Sequence, residues 1–167
     1  MPSILQREAA ALAERLAEKR QRIVLAESCT AGLASASLAG IAGVSQWHCG
    51  SAVTYRQQTK IDWLGISPAV IEEAGVVSER VACEMASGVL ARTSEADFAA
   101  AITGHLGPQA PVDLDGVVYI ALAGRNDDGT RHATAWRYRL QTVERLDRQA
   151  EAATLLIQRA CQWLATD

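Results

Sequence analysis

No two cysteines of this sequence stand at Cys-x-x-Cys spacing, which removes the commonest zinc-binding and thiol-redox arrangements. Cys29, Cys49, Cys83 and Cys161 occur singly, so we expect reduced thiols, no disulfide, no metal site and a cytoplasmic location. Charge of one sign is lacking too: 16 Lys and Arg stand against 19 Asp and Glu, and the cations are dispersed. A net charge of −3 without a basic cluster leaves no electrostatic footprint for nucleic acid or for an anionic membrane, and neither is expected as a partner. No apolar run approaches the roughly 20 residues a membrane-crossing helix needs. The opening Met1-Pro2-Ser3-Ile4 has neither the basic stretch nor the apolar core of a secretory signal, so a soluble protein is the expectation. Linkers, repeats and low-complexity segments are missing, and we read residues 1–167 as one domain, long enough to bury about two-thirds of the surface its unfolded chain exposes.

What is present alternates between helical and strand patterning. Ser3 caps an expected helix running to about residue 19, with Ile4, Leu5, Leu12 and Leu16 near one face. Strands are expected at 21–27, 47–55 and 98–103, and a hairpin at 116–124 and 132–140 around the polar turn Arg125-Asn126-Asp127-Asp128-Gly129. Helices are expected at 30–39, 58–64, 68–73 and 79–93, the last two started by Ser67-Pro68 and Ser78-Glu79, and a final helix capped by Thr142. Helices before, between and after about five strands imply an α/β fold, a three-layer α/β/α sandwich on a mixed sheet.

Chemistry concentrates where the apolar strand Ile23-Val24-Leu25-Ala26 runs into Glu27-Ser28-Cys29-Thr30 and then into small residues at helical spacing. A strand that turns directly into a helix at Ser28 puts that hydroxyl at the sheet's carboxyl edge, beside backbone N–H groups and the positive end of a helix dipole. Such a place suits a nucleophile or an anion. It equally suits a plain helix cap, which is what an isolated Ser does there.

The Ala-Glu-Ser-Cys-Thr-x-Gly block at Ala26 to Gly32, the Gly-x-Ser turn at Gly43 to Ser45, the Val-x-Tyr-x-x-x-x-Lys block at Val53 to Lys60 and Gly75-Val76-Val77-Ser78 together resemble the CinA C-terminal domain family. Ile102-Thr103-Gly104 with Gly107-Pro108 resembles that family's second glycine loop, and 116–121 its following strand, so the likeness covers nearly the whole chain. It implies nicotinamide-nucleotide amidohydrolase activity without a cofactor, hydrolysing the carboxamide of nicotinamide mononucleotide to nicotinic acid mononucleotide and ammonia. The roles it implies are Ser28 as nucleophile, Lys60 as its base, Tyr55 in support of the oxyanion, and Ser45 as proton relay or lysine holder. Glu27, Cys29, Thr30, Gly32, Thr103, Gly104, His105, Gly107 and Arg145 are the expected substrate-binding positions, with Cys29 also a small packing residue and Glu27 also able to orient the dyad. A lysine can take a serine proton near neutral pH only if burial or nearby charge lowers its pKa from about 10.4 toward 7. His105 is the alternative base, in a Ser–His pair.

Two stretches depart from the family's pattern. The second loop reads Gln109-Ala110-Pro111 where glycines are usual, with Asp113 and Asp115 following, an arrangement expected to repel a phosphate. The Gly-Asp-Arg that usually precedes the last helix is absent, leaving Arg139, Arg145 or Arg148 as substitutes. A related amidohydrolase for another small amide, and a non-catalytic ligand-binding relative, are therefore the competing readings. The resemblance further implies a homo-oligomer, with the four tryptophans as interface candidates, and larger members of the family carry an additional N-terminal domain.

Overall fold

The computed structural model describes residues 1–165. Ser3 starts helix α1 (Ile4–Lys19) with a reciprocal cap, its hydroxyl accepting from the Gln6 N–H while the Gln6 side chain accepts from the Ser3 N–H. β1 (Ile23–Glu27) is buried along its whole length, as a strand covered on both faces must be. Then follow α2 (Leu33–Ala39), β2 (His48–Val53), α3 (Gln57–Leu64), α4 (Pro68–Ala74), α5 (Glu79–Arg92), β3 (Phe98–Gly104), the hairpin β4 (Val117–Arg125) and β5 (Arg131–Arg139), and α6 (Arg145–Trp163).

The sheet order is β2-β1-β3-β4-β5. β1 pairs in parallel with both β2 and β3, and β3-β4 and β4-β5 are antiparallel. Ile23, Leu25, Phe98, Ile102, Ile120 and Leu122 fill the face packed with α1, α2 and α6. The other face presents Val24, Ala26, Ala99, Ala101, Ala121 and Ala123 to α5 and its neighbours. Large side chains on one face and alanines on the other follow from the period-two alternation of a strand, and the alanine face lets α5 lie close. The α/β/α sandwich with a mixed five-stranded sheet is as expected. Among the described residues no helix is long and apolar enough to cross a membrane.

The starts of two helices differ from expectation for reasons of local bonding. The helix expected from residue 30 begins only at Leu33, because Ala31 (φ 53) and Gly32 (φ 93) adopt the left-handed conformation and make a tight turn first. Thr142 does not cap α6: Glu144 holds that position, while the N–H and hydroxyl of Thr142 both donate to the Glu151 carboxylate nearly two turns inside the helix.

Because β1, β2 and β3 are parallel, their carboxyl ends share one edge of the sheet. The chain leaves β1 toward α2 on one face and returns to β3 by way of α3–α5 on the other. A crevice at such a divergence is the usual ligand position in open α/β sheets.

Candidate active site

Ser28 follows β1 directly and is held there by its own N–H donating to the Ile102 carbonyl of β3 (3.1 Å). The turn it opens is closed by Ala31 N–H to the Ser28 carbonyl (3.0 Å) and gripped from α6 by the Gln149 side chain, which donates to the Thr30 carbonyl (3.2 Å). The N–H groups of Cys29 and Thr30 donate to no backbone carbonyl among the described residues.

Lys60 comes to this turn from α3. Its inward direction follows from the helical period: Lys60 and Leu64, four residues apart, are the two buried positions of α3, with Asp62 and Trp63 outside. Only 1% of Lys60 is exposed. Its Nζ lies 2.8 Å from Ser28 Oγ and donates to the Thr54 carbonyl at 2.9 Å. The Thr54 N–H in turn donates to the Glu27 carbonyl (2.8 Å), so the lysine's anchor and the serine's strand are one hydrogen bond apart.

Burial without a carboxylate partner disfavours the ammonium form and lowers the Lys60 pKa to about 8. A Cys29 thiolate would oppose that shift, but burial pushes the Cys29 thiol itself up to about 12, so at neutral pH it carries no charge. The same fact removes Cys29 as a nucleophile, since only a thiolate attacks. It packs on the cavity wall as a neutral thiol.

Ser28, Lys60 and Cys29 all line a cavity of about 480 Å³. That volume is in the range of small-molecule sites. Tyr55 and Gln57 line one side, Thr103, Gly104, His105 and Gly107 the other, and Val76 and Val77 contribute an apolar wall. Arg145, at the start of α6, closes the ring: its guanidinium donates to the Tyr55 phenol oxygen (2.9 Å) and to the Gly107 carbonyl. Lys60, His105 and Arg145 are the cavity's basic side chains, and no carboxylate is among its lining residues. His105 anchors the loop through its backbone, N–H to Val117 and carbonyl from Gly116; its side chain makes no hydrogen bond to Ser28.

Other expected positions lie elsewhere. Ser45 sits in a short 3-10 turn (Val44–Gln46) just before β2, exposed at the amino edge of the sheet, away from the dyad; a parallel strand must be entered at the edge opposite to the one where β1 ends. Glu27, Thr30 and Gly32 do not line the cavity. Thr30 is fully buried, and Glu27 turns under α2, taking up the N–H groups of Gly32, Ala34 and Ser35. The dipole end expected to be open to an anion is therefore already filled by the chain's own carboxylate. Asp115 is not a free repulsive charge, because Arg148 meets it with two parallel bonds (2.9 and 3.0 Å), holding its carboxyl below the usual range and occupying Arg148 as well. Arg139 is spent on the carbonyls of Asp113 and Asp115, which leaves Arg145 as the arginine at the cavity. Gln57 and the Thr54 carbonyl carry no signal in the sequence, and Val76 and Val77 stand in a family motif that assigns them no role; only the fold makes them neighbours of Ser28.

A family described as the CinA C-terminal domain matches residues 5–162. A CinA-like protein of Prochlorococcus marinus (strain MIT 9312) is 39% identical over 142 residues, 79% of this chain and 32% of that protein. One from Chlorobaculum tepidum is 40% identical over 125 residues, 74% of this chain and 29% of the relative. The chain thus spans about a third of the length of the curated relatives it matches. Among solved structures, a CinA superfamily protein from Klebsiella pneumoniae 700603 superposes with a TM-score of 0.86 at 26% identity, covering 98% of this chain and 99% of its own. The competence/damage inducible protein CihA from Agrobacterium tumefaciens gives 0.86 at 27% identity over 99% and 98%.

Proposed function

The chain belongs to the CinA C-terminal domain family, and from that premise we propose that it is an amidohydrolase that cleaves the carboxamide of nicotinamide mononucleotide with Ser28 and Lys60. The observation that carries the reading is the 2.8 Å contact between a nearly fully buried amine and a serine hydroxyl that line one cavity. A buried lysine costs folding free energy, and a pKa near 8 suits a general base.

In the proposed sequence the neutral Lys60 amine accepts the Ser28 proton as Oγ attacks the amide carbon. The negative charge that develops on the amide oxygen is met by the Cys29 N–H group and by Tyr55. The Tyr55 oxygen accepts from Arg145, which leaves its own proton to donate. Protonated Lys60 gives its proton to the departing nitrogen, ammonia leaves, and Ser28 is acylated. Water then attacks the ester, Lys60 takes a proton from it and returns one to Ser28 Oγ, and the carboxylate product departs.

Ammonia release from nicotinamide mononucleotide by the purified protein, abolished in Ser28→Ala and in Lys60→Ala, is the expected result. Undiminished release in Ser28→Ala overturns the assignment. A second reading, the same chemistry on an unphosphorylated amide, is favoured by Gln109-Ala110-Pro111 on the loop where an anion cradle would need free backbone donors. Faster turnover of the riboside amide than of its phosphate selects it. A thermal shift with the nucleotide and no turnover of either selects a binding-only protein.

A further inference from the structure

Glu27 has no exposed surface, and its carboxylate accepts from Gly32 N–H (3.1 Å), Ala34 N–H (3.1 Å), Ser35 N–H (2.9 Å) and the Ser51 hydroxyl (3.1 Å). The first three belong to the start of α2, where N–H groups have no partner within the helix. The last lies on β2, in the pair Leu25–Ser51. Between Glu27 and Gly32 runs the turn that carries Ser28, with Ala31 at φ 53, a left-handed conformation that is unfavourable for a non-glycine residue and persists only when its surroundings enforce it.

The carboxylate therefore reaches both halves of the dyad without touching either. Toward Ser28 it closes the far end of the turn. Toward Lys60 it holds Ser51, and β2 runs on from Ser51 to Val53, directly before Thr54, whose carbonyl accepts from the lysine and whose N–H donates to the Glu27 carbonyl. Neither Ser28 Oγ nor Lys60 Nζ is among the carboxylate's partners, so it makes no direct hydrogen bond along which a proton could pass to them.

We infer that Glu27 is a positioning residue: by clamping the 28–32 turn and strand β2 to one buried carboxylate, it sets the separation of Ser28 Oγ from the Lys60 amine. This rests on the Ser28–Lys60 reading of the site. An amide in place of the carboxylate turns an NH2 toward backbone N–H donors, so Glu27→Gln loosens the turn even though its shape is kept.

The test is the rate at which a fluorophosphonate labels Ser28, a step in which Oγ displaces fluoride at phosphorus and Lys60 takes the hydroxyl proton; it needs no amide substrate. Labelling of the wild type, none of Ser28→Ala, and a rate lowered about tenfold or more in a folded Glu27→Gln are expected, with the pH midpoint unchanged because the base is untouched. Ser51→Ala, which removes one of the four donors, is expected to slow labelling about two- to fivefold. A Glu27→Gln protein that folds and labels within twofold of wild type, or one whose pH midpoint moves by more than a unit, overturns the inference. If Glu27→Gln does not fold, an unchanged rate in Ser51→Ala overturns it. Wild-type labelling without turnover of nicotinamide mononucleotide sinks that substrate for the site and leaves the positioning role standing; no labelling of the wild type sinks the positioning role.

Discussion

Arg145, the first residue of α6, donates a hydrogen bond to the Tyr55 phenol oxygen across 90 residues of sequence and a second to the Gly107 carbonyl, tying three separate segments around the cavity's mouth. It is exposed and contributes little to folding, so removing it tests the site rather than the fold. Arg145→Ala is expected to raise KM for nicotinamide mononucleotide about tenfold or more, the worth of a charge-assisted hydrogen bond, with a smaller change in kcat and in Tm. Steady-state kinetics check it, with the riboside amide as the control: an equal KM rise for the unphosphorylated amide would mean that Arg145 serves Tyr55 and the loop, not an anion.

On the proposed mechanism the pKa of Lys60 sets the pH dependence. A base must be deprotonated before it can accept the serine proton, so kcat/KM is expected to rise with pH and level off with a midpoint near 8. At pH 6 only about one amine in a hundred is neutral, from the two units of separation. A profile flat from pH 6 to 9 would remove Lys60 as the base.

The same group links pH to stability, with a sign opposite to that of a salt-bridged lysine. Its folded pKa of about 8 lies below the ordinary 10.5, so below pH 8 the folded state carries a desolvated ammonium that the unfolded state does not. Between pH 8 and 10.5 the unfolded chain binds more protons, and the penalty fades as pH rises. Lys60→Met lacks this term. The unfolding free energy of the wild type minus that of Lys60→Met is expected to grow by about 2–3 kcal/mol from pH 7 to 10 in urea titrations. A difference that stays constant, or shrinks, would show that the amine is not desolvated in the fold.

How much of this was readable from residues alone depends on whether the signal is local. The Ser3–Gln6 cap, the apolar strand at 23–27 and the serine at its end are legible because a few adjacent side chains decide them. The burial of Lys60 is written in its spacing from Leu64, though only the family motif singles it out from surface lysines. Ser45 shows the limit: its motif spacing is right, but once β1 and β2 are parallel the residues entering β2 fall at the edge opposite to those leaving β1. Thr142 shows another, a competent cap captured by Glu151, whose approach depends on α6 being in place. Partners for Asp115 and Arg148 are likewise set by tertiary geometry that single residues do not encode.

Gly88 of α5 gives a last test, because it joins packing to the dyad. A Cβ there would lie 2.3 Å from the Leu64 carbonyl oxygen and 3.2 Å from its carbon, both backbone atoms that cannot swing aside. Leu64 is the final residue of α3, one turn beyond Lys60. Gly88→Ala should gain about 1 kcal/mol of helix propensity in α5, yet the overlap forces α3 outward at a cost of about 1–3 kcal/mol beyond that gain. Because Lys60 rides on α3, the displacement also lengthens the contact to Ser28, and kcat is expected to fall about tenfold or more while Tm drops by several degrees. Calorimetry and kinetics on the one variant read both effects. Full activity in a destabilised Gly88→Ala would mean that Lys60 is held by Thr54 and the turn around Ser28 rather than by the seating of its helix.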